Sequence, residues 1–210
     1  MIKTVIFDLW ETLLTQGPVH PFFGTMEILG VDYEYNKFTD IVSKSKLIIA
    51  DCSLEEGWRD AMLKLGIRSD EELLKKVIKN WTTIKEKSEL FPNTIKTLEY
   101  LKKKKIEIGL CTALDAYSYK IMKQLLDSSY FDFMLLSFKE GETKPHFNKK
   151  VLKLTKSKPE EILFVGDNEY FDIKPAKEAG MKTAFISRKG KKSKIADYTI
   201  LSLSELKKII

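Results

Sequence analysis

Four stretches of this 210-residue sequence end in side chains suited to phosphate or metal chemistry. The run TVIF leads to Asp8, and EIGLC leads to Thr112 and Ala113. GETKP holds Lys144, and ILFV leads to GDNEYFD, which carries Asp167 and Asp172. A carboxylate can attack an electrophilic centre and form a covalent intermediate. Several carboxylates brought together raise one another's pKa unless a cation lies among them. A hard divalent ion such as Mg²⁺, held by Asp8 and Asp167, would remove that repulsion. Each residue alone also has an ordinary reading. Asp8, Asp172 and Thr112 suit turns or helix N-caps, and Lys144 suits a solvated loop.

The chemistry therefore depends on whether the fold gathers these residues. Strand patterns fall at Thr4–Asp8, Ile106–Cys111, Phe133–Ser137, Ile162–Val165, Thr183–Ile186 and Tyr198–Leu201. From residue 91 they alternate with helical patterns at Thr94–Lys104, Asp115–Leu126, Phe147–Thr155 and Asp172–Ala179, and a last helix begins at Ser204. Such alternation predicts an α/β fold, a doubly wound parallel sheet of Rossmann-like form. Between about Pro18 and Leu90 the helical period takes over, enough for about four helices. Two of them open at Ser53 and Ser69, each followed by Glu at capping-box distance. The division expected is a core of residues 1–16 and 90–210 and a small all-helical cap domain of residues 17–89. In an open parallel sheet, ligands bind beyond the C-terminal ends of the strands, and all four chemical stretches fall there.

Composition narrows the classes. Apolar residues make up 43% and charged residues 31% of the chain, as in globular proteins. No apolar run approaches the roughly 20 residues of a membrane span, and the N-terminus lacks the pattern of a signal peptide. Cys52 and Cys111 stand apart without metal spacing and read as reduced thiols in a cytoplasmic protein. The net charge of +6 is concentrated in Lys102–Lys105 and Arg188–Lys194. Without a nucleic-acid motif beside them, these read as a helix C-terminus and an exposed loop, not a nucleic-acid surface. His20 and His146 have no ligand spacing.

Taken together, Asp8-Leu9-Trp10-Glu11-Thr12-Leu13, Thr112, Lys144 and GDNEYFD resemble, in order and spacing, the four motifs of the haloacid dehalogenase-like hydrolases. The helical block falls where that family inserts its first type of cap. The resemblance implies Asp8 as a nucleophile that forms an aspartyl-phosphate. It implies Mg²⁺ held by Asp8, the backbone carbonyl of Trp10 and Asp167, with Asp172 as a further ligand or as a carboxylate that holds ligands or waters in place. Thr112 and the Ala113 N–H would bind a phosphoryl oxygen, and Lys144 would neutralise charge beside the nucleophile.

The sequence departs from the pattern at two positions. The family's phosphatases carry a second Asp, a general acid, where this chain has Trp10, and usually a Gly where it has Glu11. An indole cannot exchange protons at neutral pH, and losing a general acid costs about 10²–10⁴ in rate. Three readings follow. One is a Mg²⁺-dependent phosphatase for small phosphorylated molecules whose leaving groups need little protonation, with Glu11, Glu169 or His146 as substitute acids. The others are a 2-haloacid dehalogenase and a phosphate- and metal-binding module without turnover. Trp10 itself could narrow the substrate pocket. In the cap, Trp58 and Arg59 are the selectivity candidates. The remaining expectations are a small-molecule substrate, no nucleic acid, no membrane, and a monomer or homodimer.

Overall fold

Thr4–Phe7 form β1, buried on both faces, as the middle of a parallel sheet requires. The computed structural model describes residues 1–68, 70–144 and 146–210. Glu107–Thr112 (β2) and Phe133–Leu136 (β3) lie on one side of β1. Ile162–Gly166 (β4), Lys182–Ile186 (β5) and Tyr198–Ile200 (β6) lie on the other. The six strands pair in parallel in the order β3-β2-β1-β4-β5-β6. The doubly wound sheet expected from the alternating pattern is therefore present. Its direction of winding reverses between β1 and β4, which opens a crevice at the strand ends. Register puts Phe7 beside both Leu110 and Val165, so the residues following β1, β2 and β4 emerge side by side.

Among the described residues, five helices fill the stretch where the sequence suggested about four. They are α1 (Pro21–Leu29), α2 (Tyr35–Ser43), the single turn α3 (Lys46–Ile49), α4 (Leu54–Lys64) and α5 (Glu71–Lys85). Their apolar faces meet in a cluster that includes Phe38, Val42, Trp58, Met62, Val77 and Trp81. Ser53 caps α4 by accepting from the Glu56 N–H at 3.1 Å. The expected cap at Ser69 lies outside the described residues. Asp70 accepts from the Leu73 N–H at 2.7 Å and caps α5. The two segments joining this helical layer to the sheet run side by side, with the Thr15 N–H donating to Glu89 O and the Phe91 N–H to Leu13 O.

The flanking helices α6 (Thr94–Lys103), α7 (Ala116–Leu125) and α9 (Phe147–Leu154) follow the sequence pattern. Between β3 and α9 a further helical turn, α8, covers Ser137–Glu140. Two others differ from it. The stretch read as one helix from Asp172 begins with a π-helical turn at Glu169–Ile173 and continues as α10, Lys174–Glu178. The last helix is a 3₁₀ segment, Leu203–Lys208. No helix among the described residues is long and apolar enough to cross a membrane.

Candidate active site

Asp8 leaves β1 at the crevice, held by its N–H donating to Val165 O at 2.9 Å. Asp167 leaves β4 next to it. Asp172 returns to the same point from the π-helical turn, and only a glycine at the end of β4 allows this. A Cβ on Gly166 would stand 2.5 Å from Asp172 Oδ2. The turn is tied down by Asn168, whose side chain accepts from the N–H groups of Tyr170 and Phe171, while its own N–H donates to Asp172 Oδ2 at 3.1 Å. One oxygen from each of the three carboxylates lies within 4.8 Å of the others.

Lys144 reaches into this cluster and donates to Asp8 Oδ1 at 2.6 Å and to Asp172 Oδ1 at 2.5 Å. Burial alone would lower the Lys144 pKa, but Asp172 and Asp8 overcome it and hold the ammonium charged. Asp167 sits in the field of Asp172, Asp8 and Glu11, only partly offset by Lys144, and has no donor among the described residues. Burial first, then Asp172 and Asp8, push its carboxyl well above the usual carboxylate range. Two carboxylates served by one lysine beside a third that is unserved form a donor set that fits a hard divalent cation.

The other expected residues divide. Ala113 and Trp10 line a cavity of about 250 Å³ with Asp8, Lys144 and Asp167. Thr112 ends β2 beside β1, fully buried, and its Oγ has no partner among the described residues. A buried hydroxyl without a partner is uncommon, and a phosphoryl oxygen is the kind of group that would satisfy it. Glu11 adopts φ 56, left-handed backbone that favours glycine, which explains the residue type usual at that position. Its carboxylate accepts from the Gln16 N–H at 2.8 Å. Glu169 accepts from Ser193 Oγ at 2.5 Å, which keeps its carboxyl below the ordinary range and unsuited to donating a proton. Trp58 is wholly buried against Trp81, and Arg59 pairs with Glu71 on an exposed face at 2.5 Å. Neither lines the cavity. A second, wider space of about 460 Å³ shares Ser43, Thr143, Lys144 and Phe171 with the first and carries His146 on its wall.

Sequence patterns missed several groups at the site. Lys85, at the end of α5, lies over the Trp10 ring with its Nζ 3.4 Å from the centroid. Burial lowers its pKa to about 7. Asp115 caps α7 through the Ser118 N–H and also accepts from Trp81 Nε1 at 3.2 Å, which ties the helical layer to the sheet. Arg188, read as part of an exposed basic loop, donates to the backbone carbonyls of Glu11 and Thr12 while stacking on Phe91. Four-residue helix spacing places Trp81 and Lys85 on one face of α5, but nothing in the sequence says that this face meets Trp10.

Comparison with known proteins agrees with this arrangement. The sequence profile of the haloacid dehalogenase-like hydrolases matches residues 5–186. Glyceraldehyde 3-phosphate phosphatase from Methanocaldococcus jannaschii is 32% identical over 228 aligned positions, covering 100% of this chain and 97% of its own length. A solved HAD phosphatase from Thermococcus onnurineus superposes with a TM-score of 0.65 at 26% identity, covering 99% of this chain and 97% of its own. A 2-haloacid dehalogenase from Pseudomonas syringae superposes with a TM-score of 0.68 at 25% identity, covering 100% and 98%. Overall shape thus does not separate phosphoryl from carbon chemistry; the side chains at the crevice must.

Proposed function

The chain belongs to the haloacid dehalogenase-like hydrolases, and from that footing we propose that it is a Mg²⁺-dependent phosphatase acting on a small phosphorylated molecule. The observation that carries this reading is the triad of carboxylates within 4.8 Å, two held by Lys144 and one, Asp167, without a donor among the described residues. Displacement at carbon by a single carboxylate has no use for Asp167. Hydrolysis of a phosphate ester must bring an anion to an anion, and charge placed in advance lowers that barrier.

Asp8 attacks phosphorus and becomes an aspartyl-phosphate, and the ester oxygen departs. Lys144 holds the nucleophile in place and neutralises charge that builds on the phosphoryl oxygens. The Thr112 hydroxyl and the Ala113 N–H bind one of those oxygens. Asp8, Asp167, Asp172 and the Trp10 carbonyl would hold Mg²⁺, which supplies the positive charge that lets two anions approach. Asp172 also keeps Lys144 aimed at Asp8. Water then hydrolyses the aspartyl-phosphate. Trp10 cannot protonate the leaving oxygen, so acyl and aryl phosphates are turned over faster than alkyl phosphates. The helical layer serves as the cap that excludes water from the crevice. The enzyme works in the cytoplasm on a small molecule, as a monomer or homodimer.

The indole at position 10 favours one other reading, a dehalogenase, because halide leaves without a proton. A hydrolysis screen with aryl, acyl and alkyl phosphates and 2-haloacids, with and without EDTA, separates the two. Metal-dependent phosphate release is expected, reduced at least about 10³-fold in Asp8→Asn. Halide release that ignores the chelator would overturn the phosphatase reading.

A further inference from the structure

Lys85 is a buried cation that the chemistry above leaves unemployed. It is 2% exposed, yet it lines the cavity that holds Asp8. Among the described residues its one side-chain hydrogen bond goes to a neutral acceptor, Gln16 Oε1 at 3.2 Å. Its other neighbours are the faces of Trp10 and Trp81, with centroids 3.4 and 5.2 Å from Nζ.

The acids nearby are already engaged. Asp115 accepts from Trp81 Nε1, the Ser118 N–H and Ser118 Oγ. Glu11 accepts from Gln16, and Asp8 is held by Lys144. An ammonium taken out of water without a counter-charge is strongly disfavoured. Two indole faces offset only part of that cost. Asp115, Glu11 and Asp8 act on Lys85 only through their field; what it lacks among the described residues is an anion in contact, and the cavity it lines with Asp8 is a route for one. At about 250 Å³, the cavity is smaller than the pockets of roughly 300–1,000 Å³ that hold drug-sized ligands.

Building on the phosphatase reading, we propose that Lys85 receives a second oxyanion, a carboxylate or a second phosphate, carried by a compact substrate at the end away from the phosphoryl group bound at Asp8. Phosphate esters with a neutral body, glyceraldehyde 3-phosphate among them, leave Lys85 unpaired and bind more weakly. Trp10 and Trp81 act as the walls that place the ammonium and, lying against it, report its occupancy.

The test is a tryptophan-fluorescence titration in Mg²⁺ with three non-hydrolysable probes: methylphosphonate, phosphonoacetate and methylenediphosphonate. Phosphonoacetate or methylenediphosphonate is expected to bind about tenfold or more tighter than methylphosphonate, and the one that leads identifies the carboxylate or the second phosphate as the partner. In Lys85→Met that advantage disappears while methylphosphonate binding stays within about twofold. Removing an unpaired buried charge should leave melting at or above the wild-type temperature, and Lys85→Gln serves as a second variant with the same expectation. Equal binding of all three probes by the wild type, or a preference that survives both substitutions, overturns the inference. Hydrolysis is scored separately with acetyl phosphate, 4-nitrophenyl phosphate, phosphoglycolate, pyrophosphate and glyceraldehyde 3-phosphate. Probe selectivity without hydrolysis of any ester removes the phosphatase reading and keeps the Lys85 assignment. Hydrolysis without selectivity does the reverse.

Discussion

Burial pushes the carboxyls of both Asp167 and Asp172 above the usual range, Asp172 to about 6, yet among the described residues only Asp172 has donors. Asp172 is wholly buried, grips Lys144 at 2.5 Å and accepts from the Asn168 N–H at 3.1 Å. Asp167 has no such donor and sits in the field of Asp172 and Asp8. The same substitution should therefore act in opposite directions on stability. Asp172→Asn weakens a buried charge-assisted bond and costs about 2 kcal/mol, or about 4–8 °C in melting temperature for a chain of this size. Asp167→Asn removes repulsion, so the metal-free protein melts at a higher temperature while Mg²⁺ affinity falls by about 10- to 100-fold or more. Calorimetry with EDTA and titration with Mg²⁺ read the two effects separately. Equal destabilisation by both substitutions would show that no charge clash exists at Asp167. Asp167 was legible in the sequence because it follows an apolar run, where a parallel sheet presents its strand ends, and Asp172 because it closes the same GDNEYFD stretch. Lys85 was not legible. In EELLKKVIKNWTTIKEK it is one lysine among several on a surface-type helix, and its burial comes from Trp10, far away in the chain. Trp58 shows the opposite limit, since an aromatic beside an arginine on a helix looks the same whether it faces a substrate or the helical core.

At the scale of elements, the turn after β1 depends on a residue that no motif names. Arg188 follows β5 and donates to the carbonyls of Glu11 and Thr12, one of which belongs to a residue at φ 56. The planar guanidinium lies on Phe91 with its carbon 3.3 Å from the ring centroid. Arg188 thereby fixes the position of the turn that carries Trp10. Arg188→Met keeps the stem but loses both bonds, and kcat is expected to fall about tenfold with little change in probe affinity at Lys85. Arg188→Lys restores little, since a point charge cannot reproduce the fork. The entry to α1 offers a pH test. His20 caps that helix by accepting from the Phe22 N–H at Nδ1, at 3.3 Å. Burial, and then Lys85, lower its pKa from 6.5 to about 4. The unfolded chain thus takes up a proton before the folded one does. Stability is full above pH 6.5 and declines as the pH falls towards 4, by roughly 2–3 kcal/mol from this group. His20→Asn keeps a good cap and should flatten that part of the urea-midpoint profile; an unchanged slope would assign it to the acids alone. The strands, α6, α7 and α9 were readable from alternation and periodicity. The π-helical turn was not, because its extra residue per turn is imposed by the return of Asp172 over Gly166 and leaves no mark in apolar spacing.

Across the whole molecule, the crevice is built from both layers. Asp8, Lys144 and Asp167 come from the sheet side, whereas Lys85 and Trp81 come from the helical layer. The layers are joined by Trp81 Nε1 to Asp115 at 3.2 Å, Tyr117 Oη to Glu86 at 2.6 Å, and Ala113 packed against the helical cluster. A ligand that touches both should stabilise both. At 100 times its dissociation constant, phosphonoacetate with Mg²⁺ adds about 2.7 kcal/mol to the folded state, which is about 5–10 °C for a chain of this length. Two probes can follow the layers in one melt. Near-ultraviolet signals from Trp58 and Trp81 report the helical cluster, and far-ultraviolet signals report the whole chain. Coincident transitions, shifted together by the ligand, are the expected result. A ligand-dependent shift in the overall signal with the tryptophan transition left behind would mean that substrate contacts stop at the sheet. In Lys85→Met the shift from phosphonoacetate should shrink towards that from methylphosphonate, because the contact that recruits the helical layer is then gone.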